Sequence, residues 1–219
     1  MRPVCLAVAL SCFLSSSLVA DDYKLAEAQS PPKDVPAEIA KLLAAEGQQV
    51  DGPKRPLCSI WLLKDVSRLS DFKPSTAVKY PFTPGQLVGI LSVPRRAGLT
   101  DFKGQELEPG LYTLRYGQQP MDGNHIGTSD TADFLLAIPV ANDSDPAPIA
   151  DVKEMFKRSA GASGTTHPAI FSLLAPEEEQ PEVALEHDEE QDFWVLETIA
   201  KAGDLEVPLR LVVVGKSKG

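Results

Sequence analysis

Cysteine is scarce in this chain, and most of it lies near the N-terminus. Only three of the 219 residues are cysteine, namely Cys5, Cys12 and Cys58. Removal of residues 1–20 as a signal peptide would leave Cys58 alone, which excludes an internal disulfide in the mature chain. Cys58 stands in the apolar run Leu57-Cys-Ser-Ile-Trp61, so we expect a buried, inert thiol rather than a nucleophile.

Residues 1–20 have the pattern of a secretory signal peptide. Arg2 supplies the positive end, an apolar run follows from residue 4 to residue 14, and Leu18-Val-Ala20 is a small-residue cleavage site. An alternative interpretation takes Leu10-Ser-Cys12 as a lipoprotein attachment site, in which Cys12 carries the lipid. Either interpretation predicts an exported protein, periplasmic or extracellular.

Long apolar runs and an excess of basic charge are also missing. The N-terminal run is shorter than the roughly 20 residues that a membrane-spanning helix needs, and no later segment approaches that length. The formal net charge is -10, and an acidic chain is repelled by phosphate backbones and anionic lipid surfaces. We therefore expect no nucleic acid partner and no transmembrane segment, and an envelope or extracellular ligand that the sequence does not identify.

The sequence contains none of the common catalytic or phosphate-binding motifs. Gly-x-Ser-x-Gly, His-Glu-x-x-His and the phosphate loop are all absent. The acidic stretch 177–192 offers carboxylates of the kind that glycosidases pair, but a dense run of charge is usually a solvated face. We expect His187 within it to be a surface residue. Enzymatic activity is left undecided, with the balance against it.

The chain is organised around residues 107–140, where two strand-like runs flank a long loop. Residues 111–116 alternate as in a half-buried strand, after the turn signal Pro109-Gly110. We expect Tyr112 to return its hydroxyl to a nearby backbone group, as the corner tyrosine of immunoglobulin-type domains does. The second run, residues 134–140, is almost wholly apolar, which predicts a strand covered on both faces.

The rest of the chain predicts short strands and two short helices. Residues 21–34 indicate a flexible leader, residues 35–47 a helix packed on the domain, and residues 57–215 a single β domain. Further strands are expected at 59–64, 86–93, 100–107, 169–174, 183–186, 193–199 and 205–214, and a second helix at about 149–159. This pattern favours an all-β fold, an antiparallel β-sandwich of immunoglobulin-like or jelly-roll type with two short peripheral helices.

The loop of residues 117–132 holds the candidate site. Met121 and His125 lie in it, and His167 lies at the entrance to a later strand. Thioether and imidazole together suit copper, so these three residues are the predicted metal ligands. Their structural alternative is that Met121 fills an apolar notch and His125 bonds within its own loop. Asp122, Asn124 and Asp130 form the predicted binding loop. Calcium is a separate alternative, because Asp122-Gly-Asn124 and Asn142-Asp-Ser-Asp145 each place oxygen ligands two residues apart.

Three segments within about residues 57–174 carry a family resemblance. They read Pro109-Gly-Leu-Tyr-Thr-Leu-Arg-Tyr-Gly-Gln-Gln-Pro-Met-Asp-Gly-Asn-His125, Asp133-Phe-Leu-Leu136 and Gly164-Thr-Thr-His-Pro168. In these residues the chain resembles a family of uncharacterised secreted bacterial β-sandwich proteins. The resemblance implies a location outside the cytoplasm and a compact β domain, and it implies no activity.

Two functions are compatible with these observations. The first is an exported, non-catalytic β-sandwich protein with a binding or structural role in the cell envelope. The alternative is a small metal-binding protein, of copper more than calcium, that uses Met121, His125 and His167.

Overall fold

Antiparallel strands make up most of the regular secondary structure. The computed structural model describes residues 23–119, 129, 131–177 and 182–217. Within these residues the strands are β1 (Lys24–Ala28), β2 (Gly47–Asp51), β3 (Pro56–Leu62), β4 (Leu87–Val93), β5 (Gly110–Gln118), β6 (Asp133–Pro139), β7 (Ala169–Leu174), β8 (Ala184–Asp188), β9 (Phe193–Ala202) and β10 (Leu205–Val214). The helices are α1 (Ala37–Ala40) and α2 (Val152–Ala160). The expected all-β antiparallel class is confirmed.

The strands lie in one sheet, in the order β1-β2-β3-β4-β5-β6-β7-β10-β9-β8. β1 to β7 form a meander, whereas β7 to β10 have the order of a Greek key, because β10 and not β8 lies beside β7. β5 and β6, the two runs around which the chain is organised, pair at its centre. Their register runs from Tyr112 opposite Pro139 to Gln118 opposite Asp133.

β7 passes from one part of the sheet to the other. It pairs with β6 through residues 169–172 and with β10 through residues 173 and 174. Where β7 and β10 diverge, Phe102 lies between them. Its N–H donates to the Ile170 carbonyl at 2.8 Å, and its carbonyl accepts from the Ser217 N–H at 2.8 Å. The segment around Phe102 therefore continues the sheet across the gap.

The two ends of the sheet approach each other, because the sheet curls. The Tyr23 ring, immediately before β1, lies 5.3 Å from the Trp194 ring of β9. Leu25 of β1 and Leu185 of β8 pack against the same apolar core. We call this region, where β1 approaches β8 and β9, the seam. It places residues from the beginning and the end of the described chain side by side.

The helices lie on the outside of the curled sheet. Successive residues of β6 alternate between the enclosed core and α2, whose Met155 is buried against the strand. The core-facing residues are Leu135 and Ala137, and those facing the helix are Phe134, Leu136 and Ile138. Both faces of β6 are thus covered, as predicted. α1 packs Ile39 against Trp61 on the outer face of β3.

A buried ion pair ties a loop to the middle of the sheet. Arg115 of β5 is 0% exposed, and its Nε and Nη2 each donate at 2.8 Å to the carboxylate of Asp143. Its other N–H groups donate to the carbonyl oxygens of Gly85 at 3.0 Å, of Ala147 at 2.7 Å and of Asp145. All five guanidinium donors therefore have acceptors, which marks the pair as structural.

The predicted flexible leader is wrong. Residues 21–34 contain β1, which pairs with β2 from Lys24 opposite Asp51 to Ala28 opposite Gly47. The backbone of this segment is ordered by these hydrogen bonds and not by its own composition. The β domain accordingly begins at β1 rather than at residue 57.

The helix expected over residues 35–47 is only the single turn α1. Beyond it the backbone pairs with β3 and with the residues that follow this strand. The Ala44 N–H donates to the Leu62 carbonyl at 2.9 Å, and the Lys64 N–H donates to the Leu42 carbonyl at 2.8 Å. Tertiary pairing therefore overrides the local helical pattern.

The strand expected over residues 100–107 is reduced to one bridge between Thr100 and Glu106. The reason is a turn organised by the buried carboxylate of Asp101. It accepts hydrogen bonds from the Lys103 N–H at 3.0 Å and the Gln105 N–H at 2.8 Å. A carboxylate that binds the backbone two and four residues ahead favours a turn over an extended strand.

Two side chains behave as predicted. The Tyr112 hydroxyl donates to the carbonyl oxygen of Glu108, four residues upstream, and lies 3.4 Å from that of Ala162. Burial raises the pKa of Tyr112 to about 12. Cys58 is a free, buried thiol, and burial raises its pKa to about 12, so it is inert near neutral pH.

Among the described residues, no helix combines the length and the apolar character needed to cross a membrane. The expected signal peptide, residues 1–20, and its alternative lipid site at Cys12 lie outside the described residues.

Candidate functional site

Most of the site predicted from the sequence lies outside the described residues. This applies to Met121, Asp122, Asn124, His125 and Asp130. The predicted copper or calcium site in this loop therefore stays a prediction.

His167 is described, and it contacts a different part of the chain from Ser129, the described end of the loop. It is exposed just before β7, with its N–H 3.1 Å from Thr165 Oγ1. The Ser129 hydroxyl bonds that of Ser172, further along β7, at 2.7 Å. His167 therefore precedes β7, whereas Ser129 bonds to a residue within this strand.

Three carboxylates meet on the outside of the last strands. Oxygen atoms of Glu177, Glu186 and Glu197 lie within 4.8 Å of one another, a spacing that a cation could bridge. The guanidinium of Arg210 already provides a positive charge beside these carboxylates. Its Nε lies 2.6 Å from Glu197 Oε1 and its Nη2 lies 2.8 Å from Glu177 Oε1. The group is therefore an ion-pair cluster with an arginine at its centre.

An aromatic cleft opens at the seam, at one mouth of the curled sheet. His187 of β8 and Trp194 of β9 are directly opposite each other in the strand register. Their rings stack with centroids 4.6 Å apart and planes 13° from parallel. Tyr23 packs against the same indole at 5.3 Å with a tilt of 55°. Residues from the two edges of the sheet thus form one aromatic surface, at the end of the sheet opposite Ser129.

The turn between β8 and β9 holds the polar side of this cleft. Asp188 Oδ1 accepts from the Glu190 and Gln191 N–H groups, each at 3.0 Å, which defines the turn. Asp192 then adopts a left-handed conformation with φ 61°, which aspartate tolerates better than most residues. Its Oδ1 lies 3.4 Å from His187 Nε2, and its side chain is 89% exposed. The turn therefore presents a solvated carboxylate beside the imidazole.

The opposite wall comes from the end of β10 and from Thr100. Val214 and Lys216 line it. Gly215 between them has φ 117°, and a Cβ there would lie 2.4 Å from the Phe193 ring, so only glycine fits. The resulting cleft is open to solvent on one side and has a volume of about 720 Å³. This volume falls within the range typical of small-molecule sites.

The sequence did not mark the three aromatic residues of this cleft as a site. His187 is exposed, as predicted, but its partner ring was not foreseen, and Tyr23 was assigned to a flexible leader. One signal was present. His187 and Trp194 flank a turn at positions that face each other if the hairpin closes through residues 189–192. Nothing local, however, brings Tyr23 next to them.

The comparisons with known proteins found no counterpart: no protein family, no curated protein and no solved structure matches this chain.

Proposed function

We propose that this protein is an exported, non-catalytic binding protein whose ligand occupies the cleft lined by Tyr23, His187 and Trp194. The observation that carries the proposal is the convergence of three incompletely buried aromatic rings with a polar rim. Large apolar side chains are normally buried, and a concave group of exposed aromatic rings with a few polar groups is the usual composition of a ligand site.

Export is supported by the N-terminal sequence. Residues 1–20 carry a positive end, an apolar run and a small-residue cleavage site. β1 begins at Lys24, so cleavage after Ala20 leaves the whole described fold and its cleft intact. Tyr23 in particular remains in the mature chain.

The exposure of Asp192 favours binding over catalysis. A His–Asp pair can orient a catalytic imidazole, but the carboxylate that does so in hydrolases is buried and closely bonded. Here the Asp192 side chain is 89% exposed and 3.4 Å from His187 Nε2. A weak and solvated contact of this kind holds a ring in place without setting up a general base.

The indole N–H signals of the two tryptophans provide a direct test by heteronuclear NMR. Trp194 lies in the cleft, whereas Trp61 is buried with its Nε1 donating to the Gln29 carbonyl at 2.7 Å. Neutral disaccharides, phenylacetate and tetramethylammonium would be added separately. We expect at least one of these probes to move the Trp194 signal saturably and to leave the Trp61 signal in place.

Two histidine variants provide the matched comparison. His187→Ala removes the stacked ring from the cleft, and His167→Ala makes the same change at an exposed histidine outside it. We expect His187→Ala to weaken binding roughly fivefold, the value of one aromatic contact, and His167→Ala to leave binding unchanged. The proposal is wrong if no probe moves the Trp194 signal, or if both variants bind as tightly as the wild type.

A further inference from the structure

We infer that this protein forms a two-fold dimer, in which two basic turns of one copy contact an acidic turn of the other copy. The inference goes beyond the proposed function and does not depend on it. Three features of the structure support it: a cluster of exposed cations that form no ion pair, an acidic turn on the same mouth of the curled sheet, and the reversed order of these charges on a second copy.

Positive charge is concentrated at the tips of two neighbouring hairpins. The turn between β2 and β3 and the turn after β4 each carry two exposed basic side chains, and we call these the basic turns: Lys54 and Arg55, and Arg95 and Arg96. Arg55 joins the two turns, because its Nη1 donates to the Arg96 carbonyl at 3.2 Å. Four like charges thus lie close together on a chain whose formal net charge is -10.

No carboxylate of the described chain neutralises the basic turns. Arg115, Arg158 and Arg210 each form an ion pair within the chain. Among the described residues, in contrast, none of the four side chains of the basic turns forms one. Like charges held side by side repel each other, and a nearby anion relieves this repulsion. The basic turns therefore favour an anionic partner.

An acidic turn lies on the same mouth of the curled sheet. It is the turn between β8 and β9, residues 188–192, and it carries three exposed carboxylates: Glu189, Glu190 and Asp192. Tyr23 lies between the two sets of charge. A Cβ on Gly52, in the first basic turn, would lie 3.5 Å from the Tyr23 ring, and this ring lies 5.3 Å from that of Trp194 in β9. Charges of opposite sign therefore flank the aromatic residues of the seam.

A second copy of this chain carries the same two sets of charge, and a two-fold axis reverses their order. If the axis crosses the mouth between the two sets, the basic turns of each copy face the acidic turn of the other. Such an interface is isologous, so every contact is made twice. A long anionic polymer would instead meet the acidic turn beside the basic turns, and the net charge of -10 would repel it. The charge pattern therefore favours a second copy over a polyanion.

The size of the effect follows from the exposure of these charges. One exposed ion pair strengthens binding by no more than about fivefold, so the dimer needs several pairs that act together. Because of the two-fold symmetry, one reversed charge removes two attractions and adds two repulsions. Two copies with a net charge of -10 also repel each other, which opposes the attraction. We therefore expect a dimer of modest affinity that is sensitive to a reversal of charge in either set of turns.

Sedimentation velocity on the intact protein, over a series of concentrations, measures this association. We expect the wild type to pass from monomer to dimer as its concentration rises. The double variant Lys54→Glu/Arg95→Glu alters the basic turns, and Glu189→Lys/Glu190→Lys alters the acidic turn. Each should weaken self-association at least about tenfold. Circular dichroism would confirm that both variants are folded.

A mixture of the two double variants tests the pairing itself. In a mixed dimer one contact joins two unaltered sets of charge, and the other joins two sets whose charges are both reversed. We therefore expect the mixture to associate more tightly than either variant alone. The control is Lys153→Glu/Lys157→Glu, which changes the net charge as much as the first variant does but lies on exposed positions of α2. It should associate nearly as the wild type does.

The other outcomes overturn the inference. It is wrong if the wild type stays monomeric at every concentration, or if either variant of the turns dimerises as tightly as the wild type. It is also wrong if the mixture gains no association, or if the α2 control loses as much as the variant of the basic turns. A wild type that stays monomeric but binds polyphosphate through the basic turns would assign them to an anionic polymer instead. None of these results bears on the proposed function, which is tested through the Trp194 signal.

Discussion

Replacement of Asp143 by alanine should destabilise the fold strongly, because it leaves the buried positive charge of Arg115 without its counter-ion. Arg115 is 0% exposed, and two of its five N–H groups donate to Asp143, each at 2.8 Å. Charge-assisted hydrogen bonds contribute about 1.5–3 kcal/mol each. Removal of one partner of a buried ion pair costs about 3–5 kcal/mol in the free energy of unfolding. The loss of two charge-assisted hydrogen bonds gives a total of similar size.

Urea unfolding followed by circular dichroism would measure this loss. The free energy of unfolding of such a domain is about 5–15 kcal/mol. The urea concentration at the unfolding midpoint should therefore fall strongly, while the m-value stays constant. The control is Glu154→Ala on α2, which removes the partner of Arg158 at 2.9 Å in a pair that is about 40% exposed on both sides. Exposed pairs contribute less than about 1 kcal/mol.

A double-mutant cycle separates the pair from general damage to the core. Arg115→Met alone leaves the Asp143 carboxylate buried without its guanidinium, so it should also cost several kcal/mol, roughly as much as Asp143→Ala. The double variant should cost clearly less than the sum of the two single changes, because no unpaired charge remains. The reasoning is refuted if Asp143→Ala costs no more than Glu154→Ala, or if the two changes at the pair are additive.

Three further predictions concern single side chains. Tyr112→Phe removes the hydroxyl bonded to the Glu108 carbonyl and should cost about 1–2 kcal/mol in urea unfolding; a cost near zero would contradict the corner role. Burial raises the pKa of Asp133 above 3.8, so the folded state binds this proton more tightly than the unfolded state does. The stabilisation that this tighter proton binding contributes is fully present below the pKa of Asp133 in the unfolded state. It is lost as pH rises through the pKa of Asp133 in the folded state. The stability of the wild type relative to Asp133→Asn should therefore fall with rising pH in the acid range and then level off, and a flat difference would contradict it. Cys58 should resist alkylation at neutral pH until the protein unfolds, and rapid labelling of the folded protein would contradict its burial.

Two inner strands of the sheet, β7 and β10, could be predicted from the sequence because their own residues specify a strand. The bounds predicted for β7 and β10, residues 169–174 and 205–214, agree with the structure. Both strands are rich in β-branched and large apolar residues and are bounded by glycine, proline or charged turns. Tyr112 was predictable for a similar reason, since its role depends on a turn only a few residues away.

The first two strands could not be predicted, because their residues do not favour strands. β1 reads Lys-Leu-Ala-Glu-Ala and β2 reads Gly-Gln-Gln-Val-Asp, and alanine, glutamate, glycine and aspartate are depleted in sheets. β2 is held by its pairing with β3, from Gln48 opposite Ile60 to Asp51 opposite Pro56. The hydrogen bonds to β3 therefore order β2, although the residues of β2 have little intrinsic preference for a strand.

The position of the cleft follows from the way in which the sheet closes. A long sheet has two edge strands whose exposed sides favour unwanted association, and curling brings those edges together. In this protein side chains near the two edges meet, and the centroids of the Tyr23 and Trp194 rings lie 5.3 Å apart. The contact between Tyr23 and Trp194 joins the two edges while both rings stay partly exposed, and these rings line the concave cleft at the seam.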